Sequence, residues 1–461
     1  MYKQKIILGV APTKRGFLSM EEAKRQKDKF MAVIRSIHPD VVEIVDIDDL
    51  CENGILFQTD RIPLVVEKFR KAGIDALFTP HCDFGEEQCA AGVAAAMKVP
   101  TLMWGARDER PNTDEGRGRD TQCGMFACTK VMQRFGVKYS YIWNCETESD
   151  DFRNGFDRFI RVVSVVKTVK TLRIAKFGAR PVPFMSVMAN EADLATRFGI
   201  TVVPISPTAI AARADKLAEE NDPAYTSYLA DMTARIDTSS MEREKVERCA
   251  AVKVAAQQLM LENNCTAGAM ECWSATPILG VPICMALGEI ADEGYPISCE
   301  TDVNGAVTMA MLRGVLLGKE SEFLADLTIR HPQNDNAELL WHCGPFPYSL
   351  KHPDSCARLV NGQERWELKK GNLTVCRFDD IDGKYYLFAG EGRAVDGPET
   401  TGTYVWFETD NWKRWEEKLI FGPYIHHVGG AYGQYKAVLR EAARYLGLIF
   451  DDPDEQGIHS L

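Results

Sequence analysis

The 461-residue chain reads as an α/β protein: two doubly wound α/β domains followed by a smaller C-terminal antiparallel β domain. Three observations predict this. Short β-compatible runs alternate with helical segments from Ile6 onward. Carboxylates follow two apolar runs, at Glu271 and at Glu300 and Asp302, as they do where strands of an open sheet end at a crevice. After His331 the character changes to closely spaced short strands and turns. The length suits about three domains, and the expected boundaries are 1–170, 171–335 and 336–461.

The run IILGV is far too short for a signal-peptide core and stops at a turn-like Ala-Pro-Thr, so it is the expected first strand. A helix from Met20 to Ile37, the strand VVEIVDI, a helix from Ile62 to Ala72, the strand ALFTP, a helix from Cys89 to Met97 and the strand PTLMWG follow. The loops Thr79 to Gly85, carrying His81, and Trp104 to Asp108, carrying Arg107, then lie on the binding side of the sheet. Gly116 to Gly124 is glycine-rich, but its spacing does not fit GxGxxG and no strand runs into it. It is expected as a surface loop leading into a helix from Met125 to Phe135, and no P-loop motif occurs anywhere. A helix from Phe152 to Lys170 opens the second α/β unit, with LRIAKFG, PFMSVM, Asn190 to Phe198 and TVVPIS. A largely helical stretch from Ala209 to Leu261 follows, with a turn at Asn221 to Pro223.

The stretch from Ala267 to Ala306 concentrates the candidate chemistry. Ala267 to Met270 and Tyr295 to Cys299 are expected as buried strands ending in Glu271 and in Glu300 and Asp302. Between them Ile278 to Ile290 has helical apolar spacing with Pro282 in its first turn. A buried helix from Val303 to Leu317 follows, and the helical run ends near Arg330. Each acid also has a plain structural explanation: helix dipoles favour carboxylates at helix starts, and Asp302 can serve as an N-cap. Trp273 fits either the core or a sugar-stacking position. Downstream, Leu373 to Phe378, Asp382-Gly383, Tyr385 to Ala389 and Tyr404 to Phe407 predict the small β unit, closed by a helix from Gln434 to Leu446 and an acidic tail. Between them and that helix stand His426 and His427, on a segment bounded by glycines. In an extended segment neighbouring side chains diverge, so at most one readily faces a given site. Imidazole with carboxylates suits Mn²⁺, Mg²⁺ or Co²⁺. His81, His342 and Arg107 are loop polar residues with no spacing signal of their own.

Composition narrows the function. The net charge of −12 argues against nucleic acid or an anionic membrane as partner. A neutral sugar or a metal-bound substrate fits better. No apolar run approaches the ~18 residues that would span a bilayer, and without an export signal a cytoplasmic location is expected. Fourteen cysteines form no CxxC pair and are expected as small buried hydrophobes.

The strand-end acids CETDVNGA (Cys299 to Ala306), the pair Cys272-Trp273, WHCG (Trp341 to Gly344) and HHV (His426 to Val428) resemble the L-fucose isomerase and L-arabinose isomerase superfamily. LTVCRFDDIDGKYYLFAGEG, Leu373 to Gly392, is similar to that family's C-terminal domain. The resemblance implies two α/β domains and a β domain, a divalent metal, most often Mn²⁺ with Mg²⁺ or Co²⁺ as alternatives, and a homo-oligomer, trimer or hexamer. It also implies that a neighbouring subunit's first domain, here the loop Thr79 to Gly85, completes the active site. Carried over by motif, the metal ligands are Glu271, Asp302 and His427, with Glu271 and Asp302 also catalytic. The arabinose branch would select Glu300 instead of Asp302. Trp273, Glu300, His342, His426, His81 and Arg107 fall among the substrate contacts. The arginine that L-fucose isomerases carry after the first glycine is replaced by Ala11, which argues against L-fucose itself and points to a shorter, divergent subgroup. The function implied is a metal-dependent aldose–ketose isomerase working on a free sugar or deoxysugar through an enediol, where carboxylates divide the acid and base work. The alternatives are a metal-dependent aldolase or epimerase on a modified sugar, and a non-catalytic sugar-binding protein.

Overall fold

Five parallel strands organise the first unit, residues 4–164, of the computed structural model, which describes residues 4–111, 118–456 and 458–459. Their order is β2-β1-β3-β4-β5, with β1 Ile6–Val10, β2 Val42–Val45, β3 Ala76–His81, β4 Thr101–Gly105 and β5 Tyr139–Tyr141. The helices between them are α1 Met20–Ser36, α2 Ile62–Ala72, α3 Glu87–Met97 and α4 Thr121–Arg134; the boundary with the second unit falls inside α5 Asp150–Lys170. Local chemistry sets their ends. Ser19 caps α1 by accepting from the Glu22 amide, and α2 starts with proline in its first turn and stops at Gly73 in the left-handed conformation. Val65, Phe69, Leu77, Val93, Met103 and Cys128 share its core. Of the glycine-rich segment Gly116 to Gly124, Gly116 and Arg117 lie outside the described residues; 118–120 lead into α4, and Thr121 to Gly124, expected as loop, already form its first turn.

The second unit, from Val165 onward, joins two sheets. The parallel sheet has the order β7-β6-β8-β9, with β6 Arg173–Phe177, β7 Thr201–Ile205, β8 Ala267–Met270 and β9 Ile297–Cys299. Its helices are α6 Glu191–Phe198, α7 Pro207–Glu219, α8 Pro223–Arg235, α9 Arg243–Glu262, α10 Ala275–Leu279, α11 Cys284–Asp292 and α12 Val303–Leu316. The second sheet is mostly antiparallel, with strands β10 Phe323–His331, β11 Asn334–His342, β12 Arg358–Val360, β13 Gln363–Glu367, β14 Asn372–Ile381, β15 Lys384–Val395, β16 Thr403–Glu408, β17 His427–Tyr432 and β18 Ile449–Asp451. Pairing of β15 with β16 closes β16-β11-β10-β17-β14-β15 into a barrel-like ring. Helices α13 Trp412–Phe421 and α14 Lys436–Leu446 accompany it. Met270, Ile290, Phe323, Phe346, Val375, Phe388 and Trp415 belong to one core cluster, so the parallel sheet and the barrel are held together by a shared interior.

The predicted fold class therefore stands, with local corrections. The helical run expected to reach Arg330 stops at Leu316, because Leu317 and Gly318 both take positive φ, and β10 starts at Phe323. Pro282 falls between α10 and α11 instead of inside a helix, and PFMSVM makes a single 3₁₀ turn, Met185–Val187. Helix α13 was not foreseen. All fourteen cysteines are free and most are buried, and among the described residues no helix is long and apolar enough to cross a membrane.

Candidate active site

Two parallel strands and two barrel strands deliver the site. β8 ends one residue before Glu271, and its neighbour β9 ends at Cys299, directly before Glu300. Glu300 and Thr301 both hold left-handed backbone, φ 58° and 56°, an arrangement that costs non-glycine residues on the order of 1–3 kcal/mol each. Thr301 is secured there by its amide to Met270 O and its hydroxyl to Ala179 O. Asp302 then caps α12 by accepting from the Gly305 amide at 2.8 Å. From the barrel, β10 pairs with β17 so that Asp326 stands opposite His427.

His427 is fully buried between acids. Its Nδ1 is 2.9 Å from Asp302 Oδ2, and its Nε2 is 3.0 Å from Glu300 Oε2 and 3.5 Å from Asp326 Oδ1. Burial alone would push the imidazole down; the contacts with Asp302 and Glu300 and the charge of Asp326 raise it to about 9. The field around Nε2 thus strongly favours positive charge.

Asp302 faces the other way. Burial opposes its charge, but Arg377, with Nη1 2.5 Å from Oδ2 and Nη2 3.1 Å from Oδ1, and His427 hold it well below the usual carboxylate range. Arg377 also donates to Asp379, whose Oδ1 accepts from Asn304. With both oxygens engaged by protein groups, Asp302 sits behind His427 and orients the ring.

On the Nε2 side of the ring, Asp326 Oδ1, His342 Nε2 and His427 Nε2 are buried atoms without a well-aligned hydrogen bond. His342 accepts the Cys343 amide at Nδ1, which leaves Nε2 as its donor, 4.0 Å from Asp326 Oδ1. Asp326, His426 and His427 each offer an atom within 4.8 Å of the others. Two carboxylates and imidazole, with polar atoms unsatisfied on that side, fit a borderline-hard divalent cation. Phe184 lies against Trp273, His426 and His427 with ring centroids 5.1, 6.2 and 6.4 Å apart, forming an aromatic wall; Trp273 is about half exposed.

Two domain models cover more than half of the chain between them. The fucose/sulfoquinovose isomerase N-terminal domain matches residues 9–170, and the L-fucose isomerase C-terminal domain matches residues 360–452. The chain belongs to the L-fucose isomerase-like family. It is therefore a sugar isomerase, of the aldose–ketose class. Curated relatives include a sulfoquinovose isomerase of Priestia aryabhattai, 24% identical over 81% of this chain and 84% of that protein. Others come from Alkalicoccus urumqiensis, 24% identical over 72% and 75%, and Clostridium sp. (strain MSTE9), 25% identical over 70% and 73%. A periplasmic solute-binding protein from Actinobacillus succinogenes 130z, solved with D-allose, is 12% identical over 69% of this chain and 93% of that one. At a TM-score of 0.17 it carries no argument.

Within this family member, the structure gathers Glu300, Asp302, His342, His426 and His427 in one place, with Trp273 beside them. It sets Glu271 differently: its Oε2 accepts from the Ala179 amide, next to Gly178 at the end of β6. His426 does not diverge from His427, as strand alternation predicted. It precedes the first residue of β17, where the pleat is not yet imposed, and the two rings lie 4.5 Å apart. His81 closes β3 and Arg107 follows β4 in the first unit, where the Arg107 carbonyl accepts from Arg119. Asp326, Phe184 and Arg377 escaped the sequence reading. For Asp326 the usable signal was the run FLADLTIRH, which alternates as a strand does while carrying one acid among apolar neighbours.

Proposed function

We propose that this isomerase interconverts a free aldose and its ketose through an enediol, with a divalent cation, Mn²⁺ by preference, held by Glu300, Asp326 and His427. The observation carrying the proposal is the buried convergence of those three side chains around His427 Nε2, backed by the Asp302–Arg377 pair. This ligand set departs from the motif-based expectation: Asp302 becomes the residue that orients His427, and Glu271 a structural carboxylate.

When bound, the cation supplies Lewis acidity that acidifies the proton next to the sugar carbonyl. The chain's own groups do the rest. One carboxylate of the Glu300–Asp326 pair takes the carbon-bound proton and returns it to the neighbouring carbon, while the other moves the hydroxyl proton. His342 Nε2–H, poised toward Asp326, steadies that carboxylate. Phe184 and Trp273 offer the apolar face of the sugar a surface and keep water from it.

The relatives are named sulfoquinovose isomerases, so a 6-deoxy-6-sulfonated aldose is the first substrate to assay, before other free deoxysugars. The test is isomerisation in D₂O by chelated and Mn²⁺-restored protein. The expected outcome is loss of activity on chelation, return with Mn²⁺, and solvent deuterium on the ketose carbon that receives the proton. Full activity after exhaustive chelation would overturn the metal; product free of deuterium would favour hydride transfer over the enediol.

A further inference from the structure

Beside the proposed cation site stand two thiols that the reaction does not use. Cys299 ends β9, and Cys272 lies two residues beyond the end of the adjacent parallel strand β8, where Met270 pairs with Cys299. The Sγ atoms of Cys272 and Cys299 and a carboxylate oxygen of Glu300 all lie within 4.8 Å of one another. Cys299 and Glu300 are buried, whereas Cys272 is only partly so and adjoins the half-exposed Trp273.

We infer that Cys272, Cys299 and Glu300 form a second cation site, selective for thiophilic divalent ions such as Zn²⁺ and Cd²⁺. The sharing of Glu300 with the Mn²⁺ site rests on the function proposed above. Two sulfurs and one oxygen, with water as the fourth ligand, make the tetrahedral set such ions take. Metal–sulfur bonds of about 2.3 Å and metal–oxygen bonds of about 2.0–2.2 Å require ligand atoms roughly 3.5–3.8 Å apart. Since the three atoms lie within 4.8 Å of one another, closing to these distances asks for about 1 Å of movement at most, within reach of the Cys272 side chain. On binding, each thiol releases its proton to solvent and each sulfur donates an electron pair to the ion, so two protons leave per cation and nothing is oxidised or reduced. Soft thiolates discriminate against Mn²⁺ and Mg²⁺, which remain with the carboxylate–imidazole set. A thiophilic ion here removes Glu300 from the reaction without needing His427, and so inhibits.

The test uses the full-length, metal-free protein in reducing buffer, titrated with Cd²⁺ and followed in the ultraviolet. A thiolate-to-cadmium charge-transfer band saturating at one equivalent is expected. Cys272→Ala and Cys299→Ala should each remove half of the band or more, and the double variant all of it. Cys356→Ala, which changes an exposed thiol elsewhere in the same unit, should leave the band intact. His427→Ala should lose Mn²⁺ yet keep the cadmium band, which separates failure of this site from failure of the proposed isomerase centre. Because Cys299 is buried, a measurement on the unaltered chain accompanies the variants: Cd²⁺ should slow alkylation of Cys272 by about tenfold or more, since the metal-bound thiolate is no longer a free nucleophile. No band in the unaltered protein, a band that survives the double variant, or an unchanged alkylation rate would each overturn the site.

Discussion

Asp302 and Asp326 address opposite nitrogens of one imidazole, and substitutions should tell them apart. Asp326→Asn removes a proposed ligand and is expected to lower bound Mn²⁺ and turnover together. Asp302→Asn leaves the ligands in place but frees the His427 ring, so metal affinity should fall about 10–100-fold. It also strips a buried guanidinium of its main partner, and stability should fall by about 3–5 kcal/mol. Glu271→Gln should retain metal, since its oxygen accepts a backbone amide; metal content of the three variants, measured with their thermal unfolding, decides between this assignment and the motif-based one. His81 gives a second residue-scale expectation. It is fully buried, and burial, outweighing a contact with the Phe84 backbone, lowers its pKa from 6.5 to about 4. The unfolded chain then takes up a proton at His81 near pH 6.5 that the folded chain refuses until about pH 4. Stability from this group is full above pH 6.5 and falls by about 3 kcal/mol on the way to pH 4. The protein should lose stability relative to His81→Leu as pH falls through that range, so the difference between their denaturant midpoints should shift; a constant gap would refute the linkage. His427 and the CETD acids were legible because they stand in short, distinctive motifs. Asp326 and Arg377 were not: each is a single charged residue inside a strand, and only the fold brings Arg377 from β14 to the start of α12.

At the scale of elements, alternation of apolar runs and helical spacing made the first sheet legible almost strand by strand, because both periodicities are local properties of the chain. Helix α13 was hidden by its surroundings. WKRWEEKLIF lies amid strands, and its aromatic residues suit either state, although Asn411 caps it by accepting from the Arg414 amide, a start signal present in the sequence. Gly178 shows how close packing of elements fixes a residue type. It directly follows β6 with φ +84°, and a Cβ there would run into the Glu271 carboxylate and Pro207. Gly178→Ala is expected to destabilise the protein by about 1–3 kcal/mol, seen as a lower urea midpoint at unchanged slope. A midpoint equal to that of the unaltered protein would mean the loop yields without cost.

For the whole molecule, we propose that the active species is a homo-oligomer, with the loop Thr79 to Gly85 of one copy completing the site of another. Active material should sediment as a multiple of 51.6 kDa, and a 51.6 kDa species that turns over sugar would refute the proposal. The Asp302–Arg377 pair carries a further consequence for how the chain comes apart. One partner sits at the start of α12 and the other in β14, where the Phe378 amide also donates to Thr308 of α12. Opening either the parallel sheet or the barrel alone would strand a buried charge, so both should open in a single step. Slow amide–deuterium exchange at Gly305 and at Phe378 should therefore share one rate, and a gene cut between Leu317 and Phe323 should yield two fragments that dissolve only when produced together.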